Sequence, residues 1–244
     1  FLLAAALNRI LPGEPVDIRE YLDLAALGTI ADIVELNTTN RILVKNGLLC
    51  LGEAKRPGIF ALKEICNLPP TAPMGSGQVS FGLAPRINAA GRMGSAQTAL
   101  QLLLAPDLST ARPLAAQLEK HNQERRRVEK NIIAEASEQA ETLSDHLGLV
   151  LYSPDWHKGI VGIAASRIVE QFNRPALLLT KDGEKLSGSG RSIAAFDLHH
   201  GLQACAQVLL TFGGHRMAAG LSLKEENLDE LRQIFNRRVQ DCFG

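Results

Sequence analysis

From Leu114 to Leu147 the chain contains neither glycine nor proline. So long an uninterrupted run fits few structures other than a single extended helix. Asp107, Ser109 or Thr110 can cap its start, and Pro113 falls within a first turn, where a missing N–H costs little. Leu114, Leu118, Val128, Ile132, Ala136 and Leu143 keep helical spacing, whereas Glu119 to Asn131 is mostly polar. A helix whose middle packs poorly is expected to connect two domains. That expectation divides the chain into residues 1–106, a connector at 107–147, and residues 148–244.

The flanks differ in pattern. Residues 1–105 read as helices separated by turn signals. Leu22, Leu24 and Leu27 precede an interruption at Gly28-Thr29, and Thr38 or Thr39 can cap a helix that ends near Gly52. Pro57-Gly58 opens a short helix to Ile65, and Pro69 to Gly77 is a loop. Beyond Gly148 strands and helices alternate. Strands are expected at Leu149–Tyr152, 176–180 and 218–223, with a Gly/Ser strand edge at 187–192. Helices are expected at 160–172, 198–210 and 228–239. This alternation predicts a small α/β domain with a central sheet.

With 244 residues the chain is long enough for a core without staples. Its 26 Lys+Arg balance 26 Asp+Glu, which excludes a histone-like basic protein but not a local basic cleft. Cys50, Cys66, Cys205 and Cys242 lack metal-like spacing and read as reduced thiols of a cytoplasmic protein. No apolar run approaches a membrane span. The opening Phe1 to Leu7 is too short for a membrane span and wrongly flanked for a signal peptide. It reads as the last helix of something that began upstream, so the chain is expected to be a piece of a longer protein.

Four segments have the composition of chemistry rather than scaffold. In the first, Asp32 lies in an apolar run, where a carboxylate needs a partner, and Mg²⁺ or Mn²⁺ would serve; a helix cap or a paired surface aspartate is the plainer alternative. In the second, Arg86 and Arg92 flank Asn88 among small residues. Arginine forks suit phosphate oxygens, and a packing turn with carboxylate partners accounts for the same residues. The third, Ser187 to Ser192, offers the hydroxyl of Ser189, the charge of Arg191 and glycine N–H groups, as a phosphate cradle or simply a turn. In the fourth, Gly213-Gly214 permits a sharp or positive-φ turn that delivers His215 to a strand entry. There the imidazole can meet phosphate, a base edge or merely a backbone group. Asp197-Leu198-His199-His200 looks like a metal cluster but reads better as an N-cap followed by a helix. Arg125-Arg126-Arg127 reads as a solvated helix face that could meet a nucleic-acid groove.

In this order and separation, the segments resemble the RecJ exonucleases of the DHH phosphoesterase superfamily. The likeness rests on Ala25 to Leu36, Leu83 to Arg92, His121 to Glu129, Trp156 to Arg167, Ser187 to Ser192 and Phe212 to Gly220. It implies the C-terminal part of a catalytic DHH domain, a long connecting helix and a DHH-associated substrate-binding domain. It implies hydrolysis of single-stranded DNA from a 5′ end with Mn²⁺ or Mg²⁺, in repair and recombination, alongside helicase or single-strand-binding partners. By motif, Asp32 would ligate metal and be catalytic, while Arg86, Asn88, Arg92, Ser189, Arg191 and His215 would hold DNA phosphates. The stretch His157 to Arg167 would shape a domain interface, with a helix start near Gly159 able to attract phosphate. The family's Asp-x-Asp and Asp-His-His segments are not found here, and in the family they precede the Asp32 region. With one expected metal ligand of several, this stretch alone need hold no cation and is expected to be inactive. Alternatives are a relative that cleaves short oligonucleotides or cyclic dinucleotides, and a non-catalytic nucleic-acid-binding scaffold.

Overall fold

The computed structural model describes residues 1–243 and divides into two compact units, residues 1–124 and 125–244. Helices of the first unit are α1 (Leu2–Ile10), α2 (Leu22–Ala31), α3 (Thr38–Glu53), α4 (Pro57–Ile65), α5 (Ser76–Gln78), α6 (Ala84–Met93) and α7 (Gln97–Leu103). Helix α8 (Leu108–Thr142) begins in the first unit and continues into the second. The core of the first unit gathers Leu27, Leu51, Ile59, Leu62, Leu83 and Leu102, and α8 adds Ala111, Ala115 and Leu118.

Several boundaries follow from local chemistry rather than from the expected signals. Gly28-Thr29 does not break α2: the helix runs on to Ala31, with the Thr29 hydroxyl donated to the Ala25 carbonyl at 2.7 Å. Asn37, not a threonine, caps α3 by accepting the Asn40 N–H at 3.0 Å. Asp107 caps α8 through the Thr110 N–H at 2.8 Å. Pro113 lies inside that helix, past its first turn. The polar middle of α8 is better packed than its composition suggests. Asn122 is fully buried, Arg86 pairs with Glu119 at 2.5 Å, and Arg125 pairs with Glu129 one turn on.

A π-helical turn, Val79–Leu83, leads into α6. Pro85 has no N–H, and its ring would crowd the Phe81 carbonyl in a regular helix. The chain widens instead, and the Ala84 N–H reaches back to the Val79 carbonyl. That leaves Phe81 standing in solvent.

The second unit is built on a five-stranded sheet: β1 (Leu149–Tyr152), β2 (Ala176–Asp182), β3 (Lys185–Arg191), β4 (Leu209–Gly214) and β5 (Ala218–Leu223). Spatial order is β1-β2-β3-β5-β4, with β1 parallel to β2 and the other pairs antiparallel. Helix α9 (Val161–Phe172) makes the crossover from β1 to β2, and α10 (Leu198–Gln203) and α11 (Leu228–Phe243) complete the unit. Two expectations are corrected. The Gly/Ser stretch expected at 187–192 lies, as far as Arg191, on the central strand rather than an edge. The helix expected at 198–210 ends at Gln203, and Leu209–Gly214 is the edge strand β4, because pairing with β5 outweighs the helical spacing of its leucines. Gly214 has the positive φ, 150°, that closes the β4–β5 hairpin.

One face of the sheet is an ordinary core: Val150, Leu177, Leu179, Leu186, Leu221 and Leu223 pack with Leu198, Leu202, Leu231 and Phe235. The opposite face changes character along the sheet. On β2 it presents Ala176, Leu178 and Thr180, all buried, where α9 packs. On β3, β5 and β4 the same face becomes Ser187, Ser189 and Arg191, then Ser222 and Gly220, then Thr211 and Gly213. Thr211, Gly213 and Gly220 are exposed. Edge strand β1 is covered by Gln139 of α8, whose amide bonds both the N–H and the carbonyl of Tyr152 at 3.1 and 3.0 Å. Among the described residues all four cysteines are free, and no helix is long and apolar enough to cross a membrane.

Candidate nucleic-acid interface

The polar half of that sheet face is where the expected phosphate residues of the second unit meet. Residues 187, 189 and 191 alternate out of β3 on one side, so Ser189 and Arg191 are neighbours by strand geometry. They sit against the first turn of α9. A Cβ built on Gly162 would lie 3.2 Å from Ser189 Oγ and 3.3 Å from Arg191 Nη2. A side chain at that position would press on both the hydroxyl and the guanidinium. Arg191 Nη1 also donates to the Gly190 carbonyl at 2.8 Å, which fixes the fork.

The turn before α9 is held on several sides. Thr180, fully buried, donates its hydroxyl to the Trp156 carbonyl at 2.6 Å, and Trp156 Nε1 donates to Glu135 at 2.7 Å. His157 Nδ1 accepts the Gly159 N–H at 3.1 Å, and the His157 carbonyl takes the N–H groups of Ile160 and Val161 at 2.8 and 3.2 Å. Three N–H groups around this helix start, those of Gly159, Ile160 and Val161, are thus bonded to His157. Lys158 projects outward instead and reaches Asp182 Oδ2 at 2.5 Å, and Ser187 donates to the same oxygen at 2.8 Å. The bond from Lys158, followed by that from Ser187, holds the Asp182 carboxyl below the usual carboxylate range. Lys158, Lys185, Ser187, Ser189, Thr211, Gly220 and Ser222 line a groove of about 280 Å³. Sequence reasoning passed over Lys158 and Lys185. The period-two spacing of 185, 187, 189 and 191 puts Lys185 on the face of Ser189 and Arg191, whereas Lys158 comes from a separate turn that this spacing does not reveal.

His215 is exposed just past β4, its backbone N–H bonded to the Ala218 carbonyl at 2.8 Å. It belongs to the hairpin that carries Gly213 and Gly220 but does not line the groove. Asp197 behaves as a helix cap, accepting the His200 N–H at 3.1 Å, and no metal cluster forms there.

In the first unit, Arg86 is committed internally. Its Nη1 donates to the Gly82 carbonyl at 2.9 Å and its Nε faces Glu119, with only 12% of the side chain exposed. Asn88 and Arg92, one turn apart on α6, share a face. Asn88 lines a groove of about 430 Å³ with Thr29, Val34, Ser80, Phe81 and Pro85. Asp32 is not in an apolar interior. It is the exposed C-cap of α2, its N–H bonded to the Gly28 carbonyl, because Ile33 turns left-handed directly after it. Among the described residues no group of three or more His, Cys, Asp or Glu side chains can hold a metal ion. The residues present therefore do not by themselves fit a divalent-cation centre.

Comparison with known proteins places these features. Residues 146–241 match the DHHA1 domain. The chain is 46% identical over 230 residues to the single-stranded-DNA-specific exonuclease RecJ of Dickeya dadantii, covering 90% of this chain and 40% of that protein. It is 41% identical over 236 residues to the Escherichia coli enzyme, covering 92% and 41%. The crystal structure of Thermus thermophilus RecJ in complex with Mg²⁺ superposes with a TM-score of 0.86 at 35% identity, covering 98% of this chain and 37% of that one. The chain thus spans about two fifths of the curated relatives it matches. The α/β architecture, with its five-stranded sheet, and the sequence agree: the chain belongs to the RecJ family of single-stranded-DNA-specific exonucleases and carries a DHHA1 domain.

Proposed function

We propose that this chain supplies the strand-gripping part of a 5′-to-3′ single-stranded-DNA exonuclease acting in the cytoplasm in repair and recombination. The observation that carries this reading is the meeting of Ser189 Oγ and the Arg191 guanidinium over Gly162. A hydroxyl donor and a fixed guanidinium fork together suit a terminal phosphate, which offers several oxygens to both. His215, on the adjoining hairpin, and Asn88 with Arg92, on α6, are further backbone contacts in this reading. Arg86 acts by holding α6 against Glu119 rather than by touching DNA. Asp32, exposed on its cap, is one ligand for a divalent cation whose other ligands these residues do not supply, so the stretch by itself binds without cutting. A helicase or a single-strand-binding protein is the partner class that would present such a strand.

The test is fluorescence anisotropy on the full-length protein with a single-stranded oligonucleotide, 5′-phosphorylated or 5′-hydroxylated, in chelator to prevent turnover. The phosphorylated strand should bind more tightly, and Arg191→Ala should remove that preference at a cost of about tenfold, the order expected for one charge-assisted contact. Equal binding of the two strands by the unaltered protein would refute the assignment of Ser189 and Arg191. Sizing the products in Mn²⁺ then reports whether mononucleotides leave from the 5′ end.

A further inference from the structure

Lys185, Ser187, Ser189 and Arg191 leave β3 on one face at intervals of about 6.6–6.8 Å, two residues of extended strand. That interval is of the order of the step between successive phosphates in an extended single strand. Ser189 and Arg191 account for one phosphate. Along the same face, Lys158 and Lys185 stand over a groove whose walls are the hydroxyl residues Ser187, Thr211 and Ser222 and whose floor includes Gly220. The groove, at about 280 Å³, is just under the size range of pockets that enclose a whole drug-sized ligand.

Two features say what such a groove accepts. No aromatic side chain lines it among the described residues, so no base can be stacked there. Its cations are arranged around a single carboxylate. Asp182 holds Lys158 through Oδ2, takes Ser187 on the same oxygen, and sits directly across the strand pair from Lys185. Lys158 is 62% exposed and Asp182 32%. An exposed pair of this kind contributes at most about 1 kcal/mol, so an incoming phosphodiester can take the ammonium from the carboxylate.

We infer that the groove between Lys158 and Lys185 is a second phosphate subsite, for the phosphodiester following the 5′-terminal phosphate, and that Asp182 is the counter-ion the strand displaces. The inference rests on the reading of Ser189 and Arg191 as the terminal-phosphate contact. It adds a backbone track along β3 that is indifferent to base identity, and it gives Asp182 a sign: its charge opposes binding even as it keeps Lys158 in place.

The experiment uses the full-length protein in chelator, with the same oligonucleotides titrated over a range of salt concentrations. The double variant Lys158→Gln with Lys185→Gln should bind about tenfold more weakly at low salt. Its plot of log affinity against log salt should be shallower by about 1.4, two phosphates at about 0.7 each. Its preference for a 5′-phosphate should persist, and Lys158→Arg should retain the slope of the unaltered protein. Asp182→Asn should bind about two- to threefold more tightly, since one opposing charge is gone. An unchanged slope in the double variant overturns the subsite. Weakened binding by Asp182→Asn overturns the counter-ion role and makes that carboxylate a strut. If Arg191→Ala keeps the 5′-phosphate preference, the terminal-phosphate reading fails, while the slope still decides the groove. Absence of binding by the unaltered protein overturns both.

Discussion

In the first unit large apolar side chains stand in solvent along α1 (Leu2, Leu3 and Ile10), after α2 (Ile33, Val34 and Leu36) and at the π turn (Phe81). In the second, exposure of this kind is confined to Leu147, Leu210, Met217 and Phe243. Helix α1 has no fully buried residue, so its apolar side adds little to stability by removal from water. The sheet of the second unit packs one face into a core and leaves the other bare where its residues are already polar. A likeness that covers 90% of the chain or more thus takes in two different physical situations: a unit with little exposed apolar surface, and one with much.

The largest test of that contrast is to make the units separately. Residues 125–244 should melt in one cooperative transition, whereas residues 1–124 should bind a hydrophobic dye such as ANS and melt broadly or aggregate. A sharp, dye-free transition for residues 1–124 would erase the contrast.

A smaller effect separates the two interiors by chemistry. Lys63 of α4 is fully buried, and its Nζ donates to the carbonyls of Leu51, Gly52 and Ala72 at 3.1, 3.0 and 3.2 Å. It closes the C-terminal turn of α3 from within and ties the loop after α4 to it. Burial pulls its pKa below the ordinary lysine value, while three carbonyl dipoles favour the ammonium. Lys63→Met keeps the volume but strands those carbonyls, and should cost about 2–4 kcal/mol in denaturant titration of the full-length protein. A loss under about 0.5 kcal/mol would mean that the carbonyls find water instead.

The smallest effect lies in the second unit. Asp197 caps α10, and its bond from the His200 N–H holds its carboxyl below the usual range. A lowered carboxylate pKa stabilises above the unfolded value and loses that contribution as pH falls through the folded one. Asp197→Ala should therefore lower the melting temperature slightly at neutral pH, and the difference should vanish in strong acid. A difference that persists there would point to lost packing rather than lost charge.

Where local signals agreed with tertiary demand, the sequence was a sufficient guide. Leu149–Tyr152, Ala176–Asp182 and Ala218–Leu223 are strands, and Pro57 begins α4. Reading failed where a distant partner decides. The leucines and valine from Leu198 to Leu210 keep helical spacing, yet the ladder offered by β5 claims the end of that run for β4. Asp32 drew attention because its neighbours are apolar, but those that follow it, Ile33 above all, are themselves in solvent. Ser189 and Arg191 were singled out by composition. Lys158, Lys185 and Asp182 were not, because their common groove is assembled from a turn, a strand face and a β2–β3 register that no single segment displays.

The glycines of β3 carry a consequence for how this protein can change over generations. Every single-nucleotide missense change in a glycine codon introduces a Cβ. At Gly188 that atom would lie 2.3 Å from the Leu178 carbonyl oxygen and 2.5 Å from the Leu179 side chain, in a close-packed interior with no room to yield. Mutational drift is blocked at the strand's centre and open at its exposed end, where Glu184 and Lys185 meet solvent. The charge at the mouth of the groove can therefore be retuned by one base change at a time, while the backbone beneath it stays fixed.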